Sequence, residues 1–369
     1  HDRGLRAIAI GSGAQTTMAS SIALGVGALV QNTASGSSSP LSAIAIGTGA
    51  AAMGNRSIAI GSGAGSSTSN GYDNVVVGIT SGQRILGVAA GANGGIAVSG
   101  ASNAAFGVGA GNDVTGGSNA AFGAGAGSNV GPNTDTTQSN CLFTPFYCYG
   151  GGGNGSNNIA FGNAAANQVQ GALNTGVGWR AGSNVNGFNN VGIGPLAGFT
   201  VTGSGNVGIG SFSGAFVTGK LNTGVGNGAG GTVTGASNSA LGDGAGGNVT
   251  GSFNSAMGAG SGNYVTGNRN VAIGRYAGEG TSTAALVVNR SVAIGNVAVA
   301  YGDDSLALGS NAVAGISGQN TTNINAIAIG KDATATGNQS IAIGTGSQVS
   351  GARSGAIGDP TIITGAGSY

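Results

Sequence analysis

The chain has 369 residues, 81 of them Gly, with 6% charged and 5% aromatic side chains and a formal net charge of +1. Five prolines and the lack of a Gly at every third position exclude collagen, and ten scattered acidic residues exclude a calcium-binding nonapeptide roll, which needs an Asp in each repeat. A mean hydropathy of +0.20 carried by strict apolar periodicity argues against disorder, and with no basic stripe nucleic acid is not an expected partner.

The first element is Ala7-Ile8-Ala9-Ile10-Gly11, in which large and small apolar residues alternate and a Gly closes the block. The same block closes at twenty glycines, the last of them Gly358. Alternation with period two predicts a strand, and recurrence at a short fixed spacing predicts a solenoid whose repeat is one coil. Residues 1–78 carry mostly 14-residue coils, with an insertion near Gln31–Leu41. Residues 79–127 open irregularly over 79–102 and then resume with 16-residue coils at Gly107 and Gly123. Residues 128–157 interrupt the pattern with Pro132, Pro145, Cys141, Cys148 and the aromatics Phe143, Phe146, Tyr147 and Tyr149. Residues 158–278 form the most regular array, a spacing of 16 held seven times running from Gly162 to Gly274. Residues 279–369 return to 14-residue coils with insertions near Thr281–Arg290 and Gly315–Asn325. No long helix is expected, and Thr283–Val288 is the one place for a short turn.

Each 16-residue coil has further fixed positions. Ala-Gly recurs after the closing Gly, as in Ala197-Gly198, and a second turn follows as Val-Thr-Gly, as in Val201-Thr202-Gly203. Glycines at fixed offsets supply the positive φ of tight turns, leaving two strands of about five residues, about 17 Å each. Asn stands four residues before the closing Gly from Asn158 to Asn270, and stacked coils would align these amides as a ladder at a left-handed turn.

The large residues of the block share one face and are expected to fill the interior. The small residues share the other, Ala or Gly in nineteen of twenty blocks, with Val76 the exception. That face is expected to meet another backbone. A coil so thin is marginal as a monomer, so an obligate homo-oligomer is expected, with Ala9, Ala59, Gly192, Gly208, Ala272 and Ala342 at its subunit interface.

Catalysis finds little foothold. The single His is residue 1, and Asp303-Asp304 are neighbours whose side chains point to opposite faces, as in a solvated turn. Gly-x-Gly-x-x-Gly look-alikes have no following helix and carry no phosphate-binding meaning. No catalytic residue, metal site or cofactor is expected. Cys141 and Cys148, with six residues between them, suggest a disulfide-closed loop, and two thiols without a nearby His make a poor metal site. Phe143, Phe146, Tyr147 and Tyr149 on that loop either bind a ligand or cover the gap in the roll. Trp179 and Arg180 are read as outer-turn residues.

The blocks Ser57-Ile58-Ala59-Ile60-Gly61, Ser291-Val292-Ala293-Ile294-Gly295 and Ser305-Leu306-Ala307-Leu308-Gly309 resemble the head repeats of trimeric autotransporter adhesins, the YadA-like group. Ser354-Gly355-Ala356-Ile357-Gly358-Asp359-Pro360 is similar to a segment near the end of such heads. The resemblance implies an all-β, left-handed parallel β-roll assembled as a homotrimer at the tip of a bacterial outer-membrane fibre. It implies non-enzymatic attachment to matrix proteins, host cells, other bacteria or inert surfaces, with no direct membrane contact by this segment. Such a head is a piece of a longer protein, which fits the abrupt start at His1 and an end at Tyr369 inside a further repeat. The family's collagen-associated block starts with Asn where this chain has Arg290, so collagen binding does not transfer. In the 16-residue zone, Asn190-Val191-Gly192-Ile193-Gly194 also resembles repeats of phage tail-fibre shafts, which are the alternative. A glycan-active solenoid enzyme would need clustered carboxylates. An ice-binding solenoid would need more than one Thr per coil at Thr202, Thr218, Thr234, Thr250 and Thr266.

Overall fold

A computed structural model describes residues 6–31, 42–53, 56–65, 75–81, 87–90, 103–112, 114, 118–128, 140–141, 148–149, 157–316 and 325–369, with backbone alone for 87–90, 140–141 and 148–149. Two compact units result, His1–Asn190 and Val191–Tyr369. Each is a parallel β-solenoid, and no helix occurs among the described residues.

In the first unit, one sheet stacks the repeated blocks in chain order, from Ile8–Ile10 to Thr175–Val177. The pairing keeps every block level with the next, as in Ile44↔Ile58, Ala45↔Ala59 and Ile46↔Ile60. The second unit repeats this from Val191–Ile193 to Gly355–Ile357. A second sheet of two-residue strands closes each coil of that unit, through Val201–Thr202 and its successors and then through Val299–Ala300 and its successors. The segment 79–102, expected to be irregular, contains one further coil strand, Gly87–Ala90. It pairs in parallel with Val75–Val77 on one side and Asn103–Phe106 on the other. Its block lacks a large final residue, which hid it from the alternation. The insertion after Glu279 makes a tight turn in which Thr281 and Ala284 exchange backbone hydrogen bonds of 2.9 and 3.2 Å, and Leu286 then takes the level of Val265.

The expected inside and outside of the coil are reversed. The small row fills the interior: Ala23, Ala45 and Ala59 in the first unit, and Ala293, Ala307, Ala328 and Ala342 in the second, are 0–2% exposed. The large row stands outside, with Ile209 40% and Met257 51% exposed. The cause is volume. In a coil of 14–16 residues the middle residue of the block faces the turn that follows the closing Gly, and most blocks leave room there for no more than a methyl group, while Val201 and its successors fill the interior from the closing sheet. Where the residue is Gly there is no room even for a methyl: a Cβ on Gly208 would fall on the Ser213 carbonyl oxygen, and one on Gly224 on that of Ala229.

The closing Gly has a separate reason. Gly210 holds φ +123°, and a Cβ there would sit 2.5 Å from the carbonyl oxygen of Gly226 in the next coil. No side chain fits both the dihedral and the stacking distance.

The Asn ladder is present but lies inside the roll. Asn238 donates from its backbone N (3.0 Å) and Nδ2 (2.9 Å) to Asn222 Oδ1, and from Nδ2 to the Gly251 carbonyl (2.8 Å). Its own Oδ1 accepts from Asn254 N and Nδ2, both at 3.0 Å. The left-handed residue is the one before each Asn, as at Ser237 (φ 59°) and Phe253 (φ 63°). In the 14-residue zones a buried Ser takes this place in most coils, as at Ser57 and Ser305, and Ala at Ala43 and Ala326. At the junction Ser291 Oγ donates to Asn270 Oδ1 at 2.9 Å.

Candidate functional site

With an interior of Ala, Val and amide side chains, any function of the described coils rests on outward-facing side chains. Three outer faces differ in chemistry. The first is the apolar row of the block sheet. In the second unit it includes Ile193, Ile209, Leu241, Met257, Ile273 and Leu308, all exposed. In the first unit it includes Ile10, Leu24 and Ile60, and a ladder of three stacked rings. Phe106 and Phe122 lie 4.9 Å apart at 8°, and Phe122 and Phe161 lie 4.7 Å apart at 2°. In each unit such a row of exposed apolar residues marks an interaction surface, since isolated soluble domains rarely expose one.

The second face is the outside of the closing sheet in the second unit. Thr202, Thr218, Thr234, Thr250 and Thr266 stand level with one another, about 4.8 Å apart per coil. Beneath them Val201, Val217, Val233, Val249 and Val265 fill the interior. The column remains one Thr wide, as expected from the sequence.

The third face is the turns, where large residues occupy left-handed backbone. Phe212 (φ 55°), Phe216 (φ 56°) and Tyr276 (φ 55°) are examples, each at a conformation that costs a bulky residue about 1–2 kcal/mol. These side chains lean over the preceding coil. The Tyr276 ring covers Gly260, and Leu221 covers Gly205, where a Cβ would come within 2.8 Å of it. Phe199 and Phe216 meet edge to face at 5.7 Å. Trp179 is exposed, with the Arg180 guanidinium 6.0 Å from its ring, and Arg275 lies 4.7 Å from the Tyr276 ring. Aligning the 16-residue coils by column would have found Phe212, Leu221 and Tyr276, because Gly stands in their columns at Gly228, Gly205 and Gly260.

Charge is sparse and tied into coil-to-coil contacts. Arg290 grips Asp304 through Nε at 2.5 Å and Nη2 at 2.6 Å, which holds the Asp304 carboxyl below its ordinary range. Asp303 Oδ1 accepts the Asn289 backbone N–H at 2.7 Å. Partial burial pushes the Glu279 carboxyl upward. Among the described residues no group of three or more His, Cys, Asp or Glu could hold a metal ion.

The residues expected at a subunit interface fall elsewhere. Ala59, Gly192, Gly208, Ala272 and Ala342 are buried inside the coil of a single chain, and Ala9, in the first described coil, is half-buried. A side chain enclosed by its own coil leaves nothing for a second copy to touch, so the five buried residues do not form such an interface. Phe143, Phe146 and Tyr147 lie outside the described residues. Tyr149 is placed by its backbone, opposite Asn140 in a two-strand antiparallel pair.

In that pair Cys141 stands directly opposite Cys148. Opposed residues in antiparallel strands have Cα atoms about 4.5–5.5 Å apart, inside the range of about 4.4–6.8 Å that a disulfide spans. Protein made under oxidising conditions is expected to lack free thiols. Reduction should leave the far-ultraviolet dichroism of the coils unchanged. Two titratable thiols in the oxidised protein would exclude the bond.

The family model for the YadA head domain repeat (2 copies) matches residues 3–28, 41–64, 289–312, 322–347 and 337–359. These matches lie in the 14-residue zones, and the resemblance read from the blocks there holds. No curated protein matches the chain.

Proposed function

We propose that this chain, a carrier of YadA-like head repeats at both its ends, is the non-enzymatic extracellular head of a trimeric bacterial surface fibre that attaches cells to matrix, host-cell, bacterial or inert surfaces. The apolar outer row carries the proposal. It replaces the small row as the subunit interface, three left-handed rolls packing it around a common axis. Burying a large aliphatic side chain is worth about 1.5–3 kcal/mol, and the row adds a part of that at each coil in each of three chains. The other two faces, sparsely charged and repetitive, remain outside and make the adhesive surface.

Sedimentation should give three times the 34.4 kDa chain mass. Ile209→Asp places a carboxylate in the apolar interface. It should weaken the trimer at least tenfold while the coil keeps its strand dichroism, because position 209 faces outward. A monomeric wild type would exclude the trimer. Adhesion itself should be multivalent, with modest contacts added over many coils. Shortening the 158–278 array should weaken attachment progressively, and removing 128–157 should weaken it only in part. With a net charge of +1, salt should have little effect. Complete loss of attachment on one loop substitution, with the trimer intact, would locate recognition at a single site instead.

A further inference from the structure

The outer row of the first unit is uniform except around its ring ladder. The first five levels, from Ile8–Ile10 to Val75–Val77, carry two large aliphatic residues, such as Ile44 with Ile46 and Ile58 with Ile60. At two levels the pair is Ala with Phe: Ala104 with Phe106, and Ala120 with Phe122. The next level carries Ile159 with Phe161. Both members of a pair face outward, since the residue between them is buried. The rings stack nearly parallel at 4.9 and 4.7 Å, the separation of the coils themselves, so each repeats the position of the ring one coil below. The result is a ridge of three rings beside a notch floored by two methyl groups.

We infer that the ridge of one copy seats in the notch of the next copy at the same level, Phe106 on Ala104 and Phe122 on Ala120 of the neighbouring subunit. The inference rests on the proposed trimer and names its contacts. Two physical points support it. In a closed ring of identical subunits each interface joins two different patches, and any displacement along the axis would accumulate and prevent closure, so equal levels must meet. At equal levels a Phe facing an Ala fills about the space of two aliphatic residues. A Phe facing a Phe would overfill it, and an Ala facing an Ala would leave a cavity. The size swap at two successive levels is the pattern this contact requires. Levels with two similar residues do not reveal which column meets which.

Disulfide trapping tests the contact. In a Cys141→Ser/Cys148→Ser background, Ala120→Cys and Phe122→Cys are made singly and together, and assembly is followed by sedimentation. The two positions are alternate residues of one strand and too far apart for a good bond within a chain. Oxidation of the double variant is expected to give covalent trimers on denaturing gels, and each single variant should give none. Cross-linking of Phe122→Cys alone would show that ridge meets ridge at the axis and would overturn the inference. So would a double variant that sediments as a trimer yet does not cross-link. A wild-type protein that sediments as a monomer would remove the trimer itself, a failure separable from the other two.

Discussion

Asn238→Ala is expected to destabilise the second unit by about 2–6 kcal/mol. The substitution leaves two groups without partners, the Gly251 carbonyl and the Asn254 backbone N–H, both hydrogen-bonded to the Asn238 amide in the native coil. Each orphaned buried group costs about 1–3 kcal/mol. Asn238→Asp should cost at least as much. It keeps an acceptor for Asn254, but loses the Nδ2 donor and sets a carboxylate against Asn222 Oδ1 and the Gly251 carbonyl. Because each coil of a solenoid touches only its neighbours, the loss should be concentrated in nearby coils. Amide exchange should rise most around Asn222, Asn238 and Asn254, and the denaturant midpoint should fall. An unchanged midpoint together with unchanged exchange would show that water replaces the ladder at no cost.

Ala272→Leu is expected to break the coil and not merely the assembly. The Ala272 methyl is 5% exposed, a Cβ placed on Gly278 would lie 3.0 Å from it, and the cavity it lines, about 30 Å³, is far smaller than the three carbons a Leu adds. Overpacking a core ordinarily costs about 1–3 kcal/mol. Here the walls are stacked backbone that cannot shift without breaking hydrogen bonds to both neighbouring coils, which places the cost at the upper end or beyond. Strand dichroism should fall and the protein should become susceptible to proteolysis near residue 272. Ile209→Asp supplies the contrast, with dichroism kept and association lost. A fully folded monomer from Ala272→Leu would return the small row to the subunit interface.

The aromatic loop is a different case. Cys141 and Cys148 were legible as a pair because they fall together in a segment that leaves the repeat, and the backbone sets them opposite one another. Among the candidate contact residues, the ring ladder escaped notice. Phe106, Phe122 and Phe161 read as ordinary large residues of their blocks, and only stacking the coils brings three rings from positions 16 and 39 residues apart into contact at 4.9 and 4.7 Å.

The sequence by itself determined the coil. Period-two alternation, Gly at fixed offsets and an Asn every 16 residues are local patterns, and they suffice for parallel strands, level pairing and an amide ladder. It also determined where coils change length, because Asn gives way to Ser at Ser291 as the spacing shortens. Only the tertiary structure decided which face of the strand is inside. Alternation separates large from small residues but carries no sign, and the usual preference for large apolar residues indoors points the wrong way. The sign comes from the width of the closed coil, a property of two strands and two turns together. The middle position of the block packs against a nearby turn of its own coil, so Ala or Gly stands there in all blocks but that of Val76, and the large flanking residues are turned outward to wait for a partner.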